Sequence, residues 1–110
     1  MNNEEIKRVE EIFLFCQHLL IEKSKEYGDI WKNDCLGHKA TFVELNAKYG
    51  RLKNLIWDNK INGETEHRVA DTLIDMINYC TLTLLLIEKE KGEVIELDKK
   101  IEINIKEAMK

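Results

Sequence analysis

The chain has no proline and only five glycines among its 110 residues. Those two residue types punctuate turns and end helices, so little of the sequence is built for loop or linker, and a mostly helical fold follows. Cysteine is sparse as well. Cys16, Cys35 and Cys80 form no C-x-x-C pair, which excludes a disulfide framework, and Cys35 and His38 have C-x-x-H spacing without the second half-site that zinc requires. An odd number of widely spaced thiols among apolar neighbours reads as reduced side chains of a cytoplasmic protein. A long hydrophobic run is also missing: Met76 to Ile87, the longest charge-free stretch, has 12 residues, against the ~20 of a membrane span. The N-terminal MNNEEIKRVEE is acidic where a signal peptide opens basic and then apolar. There is no P-loop, no G-x-G-x-x-G and no nucleophile elbow. His18 and His67 have no serine or cysteine partner in a recognisable arrangement, so covalent catalysis has no support.

Against those absences stand 44% hydrophobic and 35% charged residues, the composition of a soluble, folded, charge-rich protein. The length bounds the answer to a single domain, residues 1–110, around one core. A net charge of −4 and a pI near 5.4 argue against general binding to nucleic acid or to an anionic membrane. A local basic pocket for one small anion remains allowed.

Apolar spacing predicts the helices. The first starts with Asn2 or Asn3 as N-cap, carries Glu4 and Glu5 in its first turn, and fades near Lys25. Its seam is Ile6, Val9, Phe13, Cys16 and Leu20. Residues 26–39 form the longest non-periodic segment, the kind of loop that tends to carry function. Thr41 and Glu44 have capping-box spacing, and the second helix runs from there to Trp57, with Phe42, Leu45, Tyr49, Leu52 and Ile56 inward. Asn62-Gly63 marks a turn. The third helix runs from near Thr65 to about Lys91 and ends at Gly92 with lysines in its last turn. For the tail, residues 93–109, helical spacing of Val94, Leu97, Ile101, Ile105 and Ala108 competes with strand-like alternation of Ile101, Ile103 and Ile105; a helix is favoured. The expected fold is all-α, a small antiparallel bundle of three to four helices. Leu82, Leu84, Leu85, Leu86 and Ile87 point in nearly every direction, so the third helix is expected to pack partly against another subunit of a homo-oligomer.

One pattern stands apart. Arg68, Asp71, Asp75 and Asn78, spaced 3, 4 and 3 apart, put four polar side chains on one face of the most apolar helix. Buried carboxylates need a partner to offset their desolvation. Two partners suggest themselves. Lys48 and Arg51, one turn apart on the second helix, can pair with the acids or hold a phosphate. Alternatively Asp71 and Asp75, completed by Glu44 or by Glu22 and Glu26, can hold Mg²⁺, which prefers oxygen ligands. In the loop, Tyr27 and Trp31 flank Gly28-Asp29, and the tryptophan suits either stacking on a base or plugging the core.

The order Lys25-x-Tyr27-Gly28-Asp29-x-Trp31, Lys48-x-x-Arg51-Leu52 and Asp71-x-x-x-Asp75-x-x-Asn78-Tyr79 resembles the nucleotide-modification-associated domain 1 family, small helical proteins frequent in phages and their bacterial hosts. The resemblance covers roughly residues 21–88. The helix order is also similar, more distantly, to the MazG-like all-α nucleoside triphosphate pyrophosphohydrolases, which hold Mg²⁺ between two acidic helices. The third helix keeps acids at Asp71 and Asp75, whereas the second has Lys48 and Arg51 where paired glutamates are expected. Exchanging ligands for cations favours direct contact with phosphate over a metal cluster.

The leading expectation is therefore a nucleotide-binding protein that needs no cofactor, a reading that leans away from an enzyme and toward sequestering a nucleotide or assisting base modification in a phage-infected cell. Lys48, Arg51 and Arg68 would meet phosphates, Asp71 and Asp75 would orient those cations or bind a ribose hydroxyl, and Asn78, Tyr27, Asp29 and Trp31 would complete the site. The alternatives are a Mg²⁺-dependent (d)NTP pyrophosphohydrolase with metal on Asp71, Asp75 and Glu44, and an interaction protein whose polar stripe is a salt-bridge network.

Overall fold

A computed structural model describes the chain except for Asp29, Asp34 and residues 58–60, and except for the side chains of Tyr27, Ile30 and Asn33. Among the described residues there are four α-helices and no strand: α1 (Asn3–Tyr27), α2 (His38–Trp57), α3 (Glu66–Lys91) and α4 (Lys99–Ala108), with a 3-10 helix at Ile30–Asn33 between the first two. The all-α class read from the missing prolines is the observed one.

Local chemistry sets most helix ends. Asn2 caps α1 through a full capping box: its side chain accepts from the Glu5 N–H at 2.8 Å, and the Glu5 carboxylate accepts from the Asn2 N–H. Before α3, the Asn62 side chain accepts from the Glu64 and Thr65 N–H groups while Thr65 Oγ1 accepts from the Asn62 N–H, so the turn closes on itself. Gly92 ends α3 in the left-handed conformation, which glycine adopts without strain. Asp98 caps α4 by accepting from the Ile101 N–H. The tail helix thus exists but starts at Lys99, later than the expected residue 93, because Glu93–Leu97 runs non-helically past the Gly92 cap.

The start of α2 differs from expectation. Thr41 and Glu44 do not form its capping box; the helix begins at His38. Its cap comes from another element, since the Glu90 carboxylate near the end of α3 accepts from the His38 N–H at 3.2 Å and contacts His38 Nδ1. Gly37, at φ +57°, turns the chain there, and a Cβ at that position would run into the Glu90 carboxylate. Thr41 is freed for the core, where Thr83 Oγ1 donates to its hydroxyl at 2.7 Å.

Packing centres on α3, which lies along α2 for much of its length and against α1 less extensively. The core is Cys16, Val69, Leu82 and Leu86 with the polar Thr41, Thr72 and Asn78. Each buried threonine of a helix hands its hydroxyl to a backbone carbonyl, Thr41 to His38 and Thr72 to Arg68, which removes the desolvation problem. The α2 face that turns inward is Thr41, Leu45, Lys48, Leu52 and Leu55. Of the expected seam, Phe42, Tyr49 and Ile56 are exposed instead; once Thr41 bonds Thr83, the helix is rotated by about one residue. By length and composition α3 meets the requirement for a membrane span, as core helices of bundles also do, so the shortness of the charge-free run did not settle that point.

Candidate functional site

The C-terminal half of α1, the 3-10 helix, the middle of α2 and the centre of α3 enclose a pocket of about 330 Å³. Leu20 and Leu82 form its apolar floor, and Lys23, Trp31, Lys48, Asp75, Asn78 and Tyr79 supply the chemistry. That volume lies at the lower end of the range for small-molecule sites.

Each side chain arrives for a local reason. Lys23 and Ser24 follow Leu20 by roughly one turn on α1, so they flank the seam that packs on α3. Gly28 then ends α1 at φ 70°, ψ −173°, a combination open essentially to glycine alone. The turn it allows brings the 3-10 helix back over the groove, where Trp31 lines the pocket. Lys48 belongs to the inward face of α2. Asp75, Asn78, Tyr79 and Leu82 lie within two turns of α3.

Asp75 is the electrostatic centre. One oxygen accepts from Lys23 Nζ at 3.4 Å, and the other forms an ion pair with Lys48 Nζ at 3.3 Å. Two cations on one carboxylate leave the cluster with a net charge of +1, held between three helices. Asn78 is only 8% exposed. Trp31 Nε1 is buried and has no hydrogen-bond partner among the described residues. A buried donor without an acceptor costs about 1–3 kcal/mol, and this indole N–H, closed off from solvent beside the pocket, bears that cost. Burial pushes the Tyr79 hydroxyl above its usual pKa, the negative fields of Glu44 and Asp75 push the same way, and Lys23 opposes them. At neutral pH Tyr79 therefore keeps its proton and stands as a donor.

The expected site residues divide. Lys48, Asp75, Asn78 and Trp31 meet in the pocket. Arg51, Arg68, Asp71 and Glu44 lie at exposed positions and do not line it. Tyr27, by its side chain, and Asp29 fall outside the described residues. Lys23, Ser24, Gly28 and Tyr79 line the pocket without having been singled out as ligands. Their sequence signal was faint: a lysine and a serine bordering an apolar seam, and a tyrosine next to Asn78. Among the described residues no three histidine, cysteine, aspartate or glutamate side chains stand together to hold a metal, and Asp75 already faces two ammonium groups.

Fold and site together define a small all-α bundle with a mixed-charge, tryptophan-walled pocket between three helices. Comparison with protein-family models, with characterised proteins and with solved structures found no match to the chain.

Proposed function

We propose that the chain binds a nucleotide-type small molecule in the pocket between α1, α2 and α3. The observation that carries this is the convergence of Lys23, Lys48, Asn78 and Tyr79 from three helices on one pocket walled by Trp31. A planar heterocycle offers the open part of the Trp31 ring a face to stack on. A phosphate offers the two lysines an anion that the single Asp75 carboxylate does not fully replace. Asn78 and Tyr79 add an amide and a hydroxyl, which suit a base edge or a sugar hydroxyl. The phosphate contacts move, relative to the sequence expectation, from Arg51 and Arg68 to Lys23. The resemblance to nucleotide-associated helical proteins points the same way.

The Mg²⁺-dependent pyrophosphohydrolase reading has less to stand on. Its proposed ligands Asp71 and Glu44 lie on the exposed surface while Asp75 is engaged by Lys23 and Lys48. Calorimetric titration with ATP, dATP, AMP and inorganic phosphate tests binding, and pyrophosphate release with and without Mg²⁺ tests turnover. Saturable binding that weakens about tenfold or more in Lys48→Ala supports the reading, since a charge-assisted contact is worth about 1.5–3 kcal/mol. Absence of binding across the panel, or binding unchanged in a Lys23→Ala, Lys48→Ala double variant, removes it. Pyrophosphate release dependent on Asp75 would install the hydrolase instead.

A further inference from the structure

The chain exposes 9125 Å², whereas a folded monomer of 13.0 kDa exposes about 6,300 Å². Its Cα radius of gyration is 16.3 Å, against about 13 Å for a compact domain of this length. Roughly 2,800 Å² that a compact fold would cover is therefore open, and obligate dimers remove about 1,000–2,500 Å² from each partner. Exposed apolar side chains occur on every helix, Phe42, Tyr49 and Ile56 of α2 among them, and two of the stripes lie toward the ends of the chain. Along the N-terminal half of α1, Ile6, Val9 and Phe13 form an exposed apolar stripe, and on α4 Ile101 and Ile105 do the same. Nothing on α4 is buried, and a ten-residue helix does not hold its shape alone in water.

We propose that a second copy of this chain covers both, α4 of each copy lying along the N-terminal half of its partner's α1. Three features select this pairing. Both faces are about 15 Å long, ten residues of helix each. Both stripes have helical i, i+3/i+4 spacing. Their charges are opposite: in residues 3–12 four glutamates outweigh Lys7 and Arg8 to leave −2, and in α4, residues 99–108, three lysines outweigh Glu102 and Glu107 to leave +1. The contact is reciprocal, so one two-fold axis closes it. The inference is independent of what the pocket binds.

Light scattering on the full chain at about 10 µM tests it, with twice 13.0 kDa expected. Phe13→Glu and Ile101→Glu should each weaken self-association at least tenfold while helical circular dichroism is retained. Lys106→Glu should weaken it too, and Glu10→Lys in the same chain should restore it. A wild-type chain that runs as a monomer overturns the proposal, and so does a dimer untouched by both glutamate substitutions. Should those variants fail to fold, a Val9→Cys chain mixed with an Ile105→Cys chain, both carrying Cys35→Ser and Cys80→Ser, gives the answer by oxidation. A cross-link between the two different chains supports the pairing, and its absence overturns it.

Discussion

The two halves of α1 carry the same apolar periodicity and meet different fates. From Cys16 onward the helix packs on α3, burying Cys16 to 2% exposure and bringing Leu20, Lys23 and Ser24 to the pocket. Before Cys16 the stripe continues through Ile6, Val9 and Phe13, yet Phe13 remains 59% exposed. An amphipathic pattern specifies that a face wants cover but not what covers it. In the C-terminal half the cover is α3, and it leaves a polar pocket; in the N-terminal half the cover is missing from the single chain.

The contrast is broken or sharpened most strongly by truncating one apolar residue from each region. Leu86 is 2% exposed at the packing centre, and Leu86→Ala should lower unfolding stability by about 2–5 kcal/mol through lost transfer energy plus a cavity. That loss should be the same at every protein concentration in urea denaturation. Phe13→Ala removes a larger side chain, but its effect should grow with concentration, because it acts on association alone. Equal, concentration-independent losses at the two sites would show that the halves of α1 do not differ as described.

Next in size is the joint between α1 and the pocket. Gly28→Ala has free space for its Cβ, so any cost is backbone strain, about 1–3 kcal/mol for so sparsely populated a conformation. The turn should relax, moving Trp31. In a Trp57→Phe background, which silences the 82% exposed indole of α2, the emission of Trp31 should shift to the red. An unchanged spectrum would mean that Gly28 does not set the position of the pocket wall.

Asp75→Asn is expected to act more gently on stability and to decide more about function. It deletes two ion pairs with side chains about a quarter to a half exposed, each worth at most about 1 kcal/mol. Under the binding reading the lysines keep their charge and nucleotide affinity survives. Under the metal reading Asp75 is a ligand, and both binding and turnover vanish. Titrating the purified variant with the same nucleotide panel separates the two.

Much of this was legible in the sequence, and the failures have a common cause. The helix order, the Asn2 cap, the Gly92 stop and the polar stripe on α3 all follow from local spacing. The share of that stripe reaching the pocket does not. Asp75 and Asn78 line the pocket, whereas Arg68 and Asp71 lie one to two turns earlier at exposed positions. The α2 seam was misplaced by one residue because Phe42, Tyr49 and Ile56 are more apolar than Thr41 and Lys48, and hydrophobicity alone favours them. What rotates the helix is a hydroxyl bond to Thr83 and a carboxylate cap from Glu90, partners 42 and 52 residues away in sequence. Lys23 was missed for the same reason. Its partner Asp75 lies on another helix, 52 residues distant.

The smallest effect concerns that remote cap on α2 and separates it from the local caps. The hydrogen bonds from His38 hold the Glu90 carboxyl below its usual pKa, assisted by the nearby positive charge of Lys39. A depressed folded-state pKa means that the carboxylate form is favoured by folding, so its contribution is fully present above the unfolded value near 4.5 and is lost as pH falls through the lower folded value. Wild-type Tm should therefore decline below about pH 4.5 more steeply than Tm of Glu90→Gln, which has no proton to gain there. Above that range the two curves should run parallel, offset by the loss of charge at the helix N-terminus. Parallel curves down to pH 3 would mean that Glu90 is an ordinary surface carboxylate and that α2 is capped by Gly37 and its own backbone alone.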